Sequence, residues 1–408
     1  MVKEWEKVQI GECFDFKNGL NKGKDYFGTG TPIINYMDVY KKRGMHKEDI
    51  KGRVTLSSEE ISRFKVEKND VFFTRTSETP EEVGFASVLL DDIENCVFSG
   101  FVLRARPKNQ KLYPAFCQYC FMTNDIRQAI EKSCTYTTRA LTNGKVLSMI
   151  EIALPPYDEQ LKISEAISDI DELISSLEKL IAKKKAIKQG TMQQLLTGKT
   201  RLPGFTSPWE KKKIDDLGRF VSGNGFPLEY QGQQQGKYPF YKVSDFNSPG
   251  NERFLHRANN YISDEIVNTL NCNIIPEKSI VFAKIGAAIF LERKKFTTAK
   301  CCIDNNTMSF QPDNSYSALY IWYLFQTICL GDLVEATALP SLSGRTIGSV
   351  QRDIPSTKNE QDYIANVLLE IDIDIESIEK KLAKTRQLKQ GMMQQLLTGK
   401  TRIGGDKR

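Results

Sequence analysis

Two segments of the chain carry the same spacing of apolar residues among charged and polar ones. In the first segment, six large aliphatic residues recur at alternating steps of four and three: Ile163, Ile167, Ile170, Ile174, Leu177 and Ile181. The second segment repeats this stripe 201 positions later: Ile364, Leu368, Ile371, Ile375, Ile378 and Leu382. Alternating steps of four and three are typical of a coiled-coil seam rather than of a general amphipathic face. The pattern predicts two long helices that pair through these seams.

The repeat extends beyond the seams at both ends. Glu159-Gln160 precedes the first stripe and Glu360-Gln361 precedes the second, while the ten residues MQQLLTGKTR stand at both 192–201 and 393–402. Glycine commonly ends a helix, so Gly198 and Gly399 are the predicted stops. Each helix then spans roughly 40 residues, or about 60 Å at ~1.5 Å per residue. This length is excessive for a core helix and suits a spacer.

Charge along the two helices predicts their relative direction. Residues 159–178 hold six acidic residues and one lysine, and residues 179–199 hold six lysines and no acid. The second helix has the same order of acid first and base second. Each exposed pair of opposite charges contributes only ~0.2–0.5 kcal/mol. However, parallel pairing would place acid against acid and base against base along the whole length. The helices are therefore predicted to run antiparallel.

The segments between the helices predict two globular α+β domains with a common plan, in a pseudo-two-fold internal repeat. VEKNDVFFTRT (66–76) corresponds to IPEKSIVFAKI (275–285), each with a turn, a short apolar strand and a following base. LPGFTSPW (202–209) has the turn residues of a linker. The predicted divisions are 1–157 for the first domain, 158–200 for the first helix, 201–357 for the second domain and 358–402 for the second helix. The helices are nearly copied, whereas most loop residues of the domains differ.

Over its whole length this arrangement resembles the specificity subunits of type I restriction–modification systems. The resemblance rests on the order domain, helix, domain, helix, and on the doubled Glu-Gln, heptad and MQQLLTGKTR pattern. It implies that each domain recognises one half of a bipartite DNA target and that the helices set the gap between the halves. It also implies two methyltransferase subunits that carry S-adenosylmethionine, and nuclease/translocase subunits that use ATP and Mg²⁺, as partners.

The resemblance implies a non-catalytic chain with no cofactor or metal site of its own, and the incomplete motifs for such chemistry in this sequence support that expectation. Gly198-Lys199-Thr200 looks like the end of a phosphate-binding loop, but that loop needs a glycine where Gln193 stands. Leu154-Pro155-Pro156-Tyr157 lacks the polar first residue of an adenine methyltransferase motif, and its prolines are predicted to end a strand and start a helix. Cys117 and Cys120 have zinc-like spacing without a second pair, which favours packing.

Candidate DNA contacts are basic side chains and hydroxyl groups on predicted loops. Contacts to phosphates position a protein on DNA, and contacts to nucleobases give sequence specificity. In the first domain they are Arg75, Thr76, Ser77, Arg139 and Lys145. In the second they are Lys242, Ser244, Lys284, Ser343 and Arg345. Arg75 and Lys284 follow matched strands, which raises them above the others. An ordinary solvated surface role is an equal alternative for each residue.

Composition narrows the possibilities without deciding among them. The 408 residues carry a formal net charge of +6, which permits a nucleic-acid partner but does not require one. No run of eighteen apolar residues and no signal-peptide core is present, and nine cysteines lack a disulfide spacing, so we predict a cytoplasmic protein. A coiled-coil scaffold whose two end domains bind proteins is the alternative function that the sequence leaves open.

Overall fold

The structure is a computed structural model that describes residues 5–136, 138–334 and 339–403. It divides into two compact units, Met1–Glu178 with Lys380–Arg408, and Lys179–Glu379. Each unit contains one globular α+β domain, the beginning of the long helix that follows that domain, and the end of the other long helix. The predicted fold class is confirmed. No helix in the described ranges is long and apolar enough to cross a membrane.

The first domain is built on a five-stranded central sheet. Its order is Phe14–Asn18, Val102–Pro107, Val71–Thr74, Ala86–Leu89 and Gly44–Met45, with antiparallel neighbours except for the last, parallel pair. Smaller sheets combine Arg53–Val54, Phe27–Ile34 and Val97–Phe98; Thr135–Tyr136, Ala140–Leu141 and Thr76–Ser77; and Glu6–Gln9 with Glu151–Leu154. The α-helices are Ile10–Cys13, Tyr36–Lys41, Ser58–Phe64, Asn124–Ser133 and Gly144–Ser148, and the 3₁₀ helices are Lys24–Tyr26, Lys47–Asp49, Pro80–Glu82, Pro114–Gln118 and Cys120–Met122.

The second domain repeats this topology. Its central sheet has the order Gly218–Ser222, Thr307–Pro312, Ile280–Ala283, Lys294–Thr297 and Phe254–Leu255, again with one parallel pair at the same edge. Smaller sheets combine Tyr261–Ile262, Tyr238–Tyr241 and Cys302–Ile303, and Trp209–Lys213 with Gln351–Pro355. The α-helices are Asp264–Thr269, Ala318–Phe325 and Gly344–Gly348, and the 3₁₀ helices are Ile214–Leu217, Leu228–Tyr230, Val243–Asn247, Ala287–Leu291 and Gly331–Leu333.

The long helices occupy Tyr157–Leu195 and Lys358–Leu396. The first strand-to-helix transition follows the sequence prediction, because the strand ends at Leu154 and the helix starts directly after Pro155-Pro156. Gly198 and Gly399 both lie just past the helix ends with φ of +69°, a left-handed conformation that favours glycine. A Cβ atom at Gly198 would also lie 3.2 Å from the Trp209 ring.

Each domain core is completed by residues from both long helices. In the first unit, Ile163 and Ile167 of the first helix join Leu396, at the end of the second helix, and the next residue, Leu397, in one buried cluster with the sheet. In the second unit, the matched cluster contains Ile364, Leu368, Leu195 and Leu196. Burial of a large aliphatic side chain stabilises by about 1.5–3 kcal/mol. The repeated Leu-Leu of MQQLLTGKTR therefore anchors the end of each helix to the domain that precedes the other helix.

The repeated polar residues bind each other at these same junctions. Arg402 donates two hydrogen bonds to the carboxylate of Glu159 in the first unit, and Arg201 donates two to Glu360 in the second. Such two-point arginine–carboxylate pairs are short and directional. The adjacent glutamine ties the helix to its own domain, since Gln160 donates to the carbonyl of Pro155 and accepts from the amide of Tyr113. The same junction, between the start of one long helix and the end of the other, therefore occurs once in each unit.

The helices pair antiparallel inside each unit, as the charge order predicts. Ion pairs at matched positions join acidic starts to basic ends: Glu178–Arg386 at 2.6 Å and Asp171–Lys389 at 2.5 Å in the first unit, and Glu379–Lys185 at 2.7 Å and Asp372–Lys188 at 2.7 Å in the second. Eight of the twelve predicted seam residues are buried, and Ile170, Ile174, Ile371 and Ile378 are half-buried.

Candidate nucleic-acid interface

Arg75 and Lys284 occupy the same backbone position in the two domains. Each follows the central strand of its sheet, Val71–Thr74 or Ile280–Ala283. The Arg75 amide donates to the carbonyl of Phe101 at 3.0 Å, and the Lys284 amide donates to that of Asn306 at 2.9 Å. Their own carbonyls accept from the amides of Thr142 and Leu342. The structure therefore confirms that these positions correspond.

Arg75 has both a basic side chain and exposed aromatic rings near it. Its guanidinium is half-buried and donates to the carbonyl of Gly100 at 3.4 Å. Phe101, next to that carbonyl, is 59% exposed, and Tyr136 on the neighbouring hairpin is 58% exposed. The hairpin pairs with Thr76–Ser77 and carries the exposed Arg139, so one edge of the domain gathers these side chains.

The other candidates of the first domain differ in their access to solvent. Thr76 is half-buried in its short strand, whereas Ser77 is only 6% exposed and donates its hydroxyl to Glu82 at 3.1 Å. Ser77 thus holds the turn and is less available to DNA than its neighbours. Lys145 is exposed on Gly144–Ser148, a short helix that begins two residues after Thr142.

In the second domain, hydrogen bonds and charges connect the candidates. Lys242 donates its ammonium to Gln231 at 3.0 Å and lies near Asp304, whose pKa burial raises and Lys242 partly lowers. Asn306 donates its side-chain amide to Asp304 at 3.2 Å, and its carbonyl accepts from Lys284. Ser244 is exposed on Val243–Asn247, one turn from this group.

Ser343 and Arg345 lie directly beside Lys284 through Leu342. The Ser343 hydroxyl accepts from the amide of Thr346 at 3.1 Å and so caps the helix Gly344–Gly348, while Arg345 is exposed on that helix. Serine is a strong N-cap residue because its oxygen satisfies an otherwise unpaired amide. Ser343 therefore has a structural role as a helix cap, whereas Arg345 is exposed and Lys284 is half-buried.

Sequence reasoning missed Phe101, Tyr136 and Asn306. An aromatic residue between apolar neighbours, as in SGFVLRA, gives no sign in the sequence of whether it is in the core or on the surface. The matched place of Phe101 and Asn306 follows only from the strand pairing. The repeated strand-then-base pattern was the signal that located Arg75 and Lys284.

The family described as type I restriction modification DNA specificity domain matches this chain twice, over residues 2–189 and 206–387. The chain belongs to this family. It is 22% identical over 98% of its length to the type I restriction enzyme MjaVIII specificity subunit of Methanocaldococcus jannaschii, covering 94% of that protein.

Solved structures share the fold. The crystal structure of a type I restriction–modification S subunit from M. genitalium aligns with a TM-score of 0.60 at 15% identity, over 96% of both chains. A structure described in connection with complex assembly and conformational transition of the type I system aligns with a TM-score of 0.56 at 15% identity, over 97% of both chains. Specificity subunits are the non-catalytic DNA-recognition components of these systems, so the specificity function is favoured over a scaffold with protein-binding ends.

Residues that could suggest chemistry have structural roles in this specificity subunit. Cys117 and Cys120 are buried in the core of the first domain, and burial raises the pKa of Cys120 well above its usual value. Leu154 ends a strand and packs in the same core. Lys199 is an exposed residue of the turn after the first long helix rather than part of a strand-to-helix loop. The sites of interest in this chain are binding surfaces.

Proposed function

We propose that this specificity subunit recognises a bipartite site in double-stranded DNA, with one half-site for each globular domain. The observation that carries the proposal is the matched position of Arg75 and Lys284 on a common backbone with different neighbours, Phe101 and Asn306. A basic side chain at the same position in both domains could bind a backbone phosphate, which every DNA sequence has. The neighbouring side chains differ between the domains and could therefore contact the edges of different nucleobases. The bases at Arg139 and Arg345 extend the same two surfaces.

We further propose that the chain directs two copies of a methyltransferase subunit, and nuclease/translocase subunits, to that site. The copied helix ends support two identical partners. Identity at Leu195 and Leu396 follows from packing, because both are buried. Gln193 and Lys199, which recur as Gln394 and Lys400, are exposed, so packing does not require their identity. Binding of an identical partner at both helix ends would require these exposed residues to be the same.

Under this proposal, S-adenosylmethionine binds to the methyltransferase subunits, and ATP and Mg²⁺ bind to the nuclease subunits. The specificity subunit contributes contacts to DNA and to its partners and holds no cofactor. We propose the cytoplasm as the location of the whole assembly.

The test is a methylation map of DNA incubated with the methyltransferase subunit alone, and with that subunit plus this chain. We expect methylated adenines in a two-part site with a fixed gap only when this chain is present. A double variant, Arg75→Ala with Lys284→Ala, should reduce methylation of that site. A pattern that is the same with and without this chain would contradict the proposal.

Partner number is a separate measurement. Native mass spectrometry should show two methyltransferase subunits on the wild-type chain. The double variant Gln193→Glu with Lys199→Glu should lose one of them, and the matched pair Gln394→Glu with Lys400→Glu should lose the other. Retention of both subunits by each double variant would remove the argument from the copied exposed residues.

A further inference from the structure

In the second unit, an arginine at the edge of the central sheet contacts the second long helix, in addition to the buried apolar cluster that joins the sheet to this helix. Arg253 precedes the edge strand Phe254–Leu255 and donates to the backbone carbonyl of Asp372 at 3.1 Å. The same guanidinium pairs with the carboxylates of Asp372, at 3.5 Å, and Glu376. The side chain of Arg253 is largely buried. This contact joins an edge of the sheet directly to the helix.

Asp372 brings three further elements to the same point. Its side chain is only 4% exposed, accepts from the Tyr323 hydroxyl at 2.8 Å and pairs with Lys188 at 2.7 Å. Tyr323 belongs to the domain helix Ala318–Phe325, and Lys188 belongs to the first long helix. A buried carboxylate without partners would be costly, so these contacts hold one another in place. Sheet edge, domain helix and both long helices meet at Asp372.

A buried lysine supports the loop that carries Arg253. The ammonium of Lys295 donates to the carbonyls of Asn251 and Glu252, both at 2.7 Å. Lys295 is only 5% exposed, and this burial lowers the pKa of its ammonium to about 8. Lys295 thus fixes the two residues immediately before Arg253.

In the part of the first unit that the structure describes, the matched residues are present without the sheet-edge contact. Arg43 corresponds to Arg253, because its carbonyl accepts from Val88 as that of Arg253 accepts from Phe296. The Arg43 side chain instead donates to the carbonyl of Ala86 and lies over the Phe85 ring. Asp171, which corresponds to Asp372, is 37% exposed and contacts Tyr119 and Lys389.

The residue at the Lys295 position also differs between the units. Ser87, one residue before Val88 in the matched strand, stands where Lys295 stands before Phe296. The Ser87 hydroxyl is buried and has no hydrogen-bond partner among the described residues. The loop before Gly44–Met45 therefore lacks the ammonium that fixes its counterpart.

We propose that Arg253 is a positioning residue that fixes the second domain on the long helices and thereby narrows the range of gaps between half-sites that the enzyme accepts. This inference rests on the proposed function. A domain held to the helices through its sheet edge and through its own helix cannot rotate about either contact alone. Removal of the sheet-edge contact releases that edge of the sheet, while the Tyr323–Asp372 hydrogen bond, the Arg201–Glu360 pair and the buried apolar cluster still hold the rest of the domain on the helices, so that the domain tilts about these remaining contacts. The second domain then reaches half-sites displaced from the native gap.

The experiment uses the complete methyltransferase assembly and a DNA library in which both half-sites are constant and the gap is native, one base pair shorter or one longer. The ratio of methylation at altered gaps to methylation at the native gap is measured. Arg253→Ala should raise this ratio by about tenfold, equivalent to a change of ~1.4 kcal/mol in discrimination. Arg253→Lys should restore part of the discrimination, and Arg43→Ala should leave it at the wild-type value.

A second library with a native gap and randomised half-sites separates positioning from base recognition. Arg253→Ala should keep the wild-type base preference at both half-sites. Glu376→Gln removes the negative charge that pairs with Arg253, and it should raise the gap ratio in the same direction even if Arg253→Ala fails to fold. An unchanged gap ratio in both variants, or an altered base preference, would overturn the inference. Absence of bipartite methylation by the wild-type assembly would instead contradict the proposed function itself.

Discussion

The surfaces around Arg75 and Lys284 have the same backbone hydrogen bonds but differ in nearly every side chain. The ends of the two long helices have both the same backbone conformation and the same side chains. Phe101 and Asn306 accept matched backbone hydrogen bonds yet present an aromatic ring in one domain and an amide in the other. The helix ends keep the same ten residues, including exposed ones. Backbone pairing tolerates any side chain that points outward. Buried contacts therefore account for the residues that the two helix ends share, while the surfaces around Arg75 and Lys284 differ in their side chains.

A second shared element makes the same point at a turn. The amides of Asn35 and Lys242 each donate to an aspartate three residues later, Asp38 at 2.8 Å and Asp245 at 2.7 Å. The aspartate is kept because it satisfies the amide at the start of a helical turn. The residue that carries the amide is not kept, because only its backbone takes part.

The largest effect is expected from exchange of a whole surface. Replacement of residues 203–357 by the corresponding domain of another family member should change one half of the methylated site and leave the other half unaltered. The second domain has its own buried cluster, and Arg201 lies outside the exchanged segment, so its pair with Glu360 is retained. A methylation map of the chimera measures this outcome. Changes in both halves would mean that the two surfaces are not independent.

A fragment of residues 1–202 tests whether the copied frame is interchangeable. The first domain normally packs against Leu396 and Leu397 and pairs Glu159 with Arg402. A second copy of the fragment offers the identical residues Leu195, Leu196 and Arg201 and the same order of acid and base. We expect a closed, isologous homodimer that, with methyltransferase subunits, methylates a palindrome of the first half-site.

Light scattering and a methylation map decide the outcome for this fragment. A monomer at micromolar concentration would contradict the expectation. Methylation of only the original asymmetric site would contradict it as well. As a control, Leu195→Asp with Leu196→Asp in the fragment should prevent dimerisation, because charges would replace the buried anchor.

Single substitutions should show that the copied residues carry stability. Leu396→Ala removes a buried side chain at the junction with the first domain and should cost about 2–5 kcal/mol of unfolding free energy. The matched control is Leu388→Ala on the same helix, where the side chain is exposed and the expected cost is below ~0.5 kcal/mol. Urea denaturation followed by fluorescence of the tryptophan at position 5 (with Trp209 and Trp322 replaced by Phe) measures the difference. Equal costs would show that the helix end is not an anchor.

Sequence alone located the frame far better than the surfaces. Heptad spacing, charge order and the copied ten residues are patterns that extend over many positions. An exception at one position therefore does not change the helix prediction. The strand before Arg75 could be matched with the strand before Lys284 because both are short apolar runs with a following base. The exposure of Phe101, the buried hydroxyl of Ser77 and the link from Arg253 to Asp372 depend on contacts between residues distant in sequence, which no local pattern contains.

The exposed aromatic ring of Phe101 lies beside Arg75, where the second domain has Asn306 beside Lys284. Phe101→Asn places in the first domain the residue that the second domain has at the matched position, without loss of the backbone hydrogen bond. We expect weaker or altered base preference at the first half-site, by ~1–3 kcal/mol at one position, with the second half-site as internal control. Sequencing of methylated sites from a randomised library measures both. Unchanged preference at the first half-site would assign Phe101 to a surface outside the interface.

The smallest effect is expected from substitution of the two basic residues at matched positions, Arg75 and Lys284. Arg75→Ala and Lys284→Ala each remove one positive charge from a position that we place at a phosphate, so each should flatten the salt dependence of DNA binding by about one unit of slope. The controls are Lys111→Ala and Lys212→Ala, which remove lysines in the same two domains whose ammonium groups pair with Glu6 and Glu210. Affinity is measured by fluorescence anisotropy on the complete assembly at several salt concentrations. If the slope changes as much in the controls as at Arg75 and Lys284, net charge alone accounts for the effect, and the matched bases are ordinary surface residues. If only Arg75 and Lys284 change the slope, the repeated strand-then-base pattern marks the same phosphate contact in both domains.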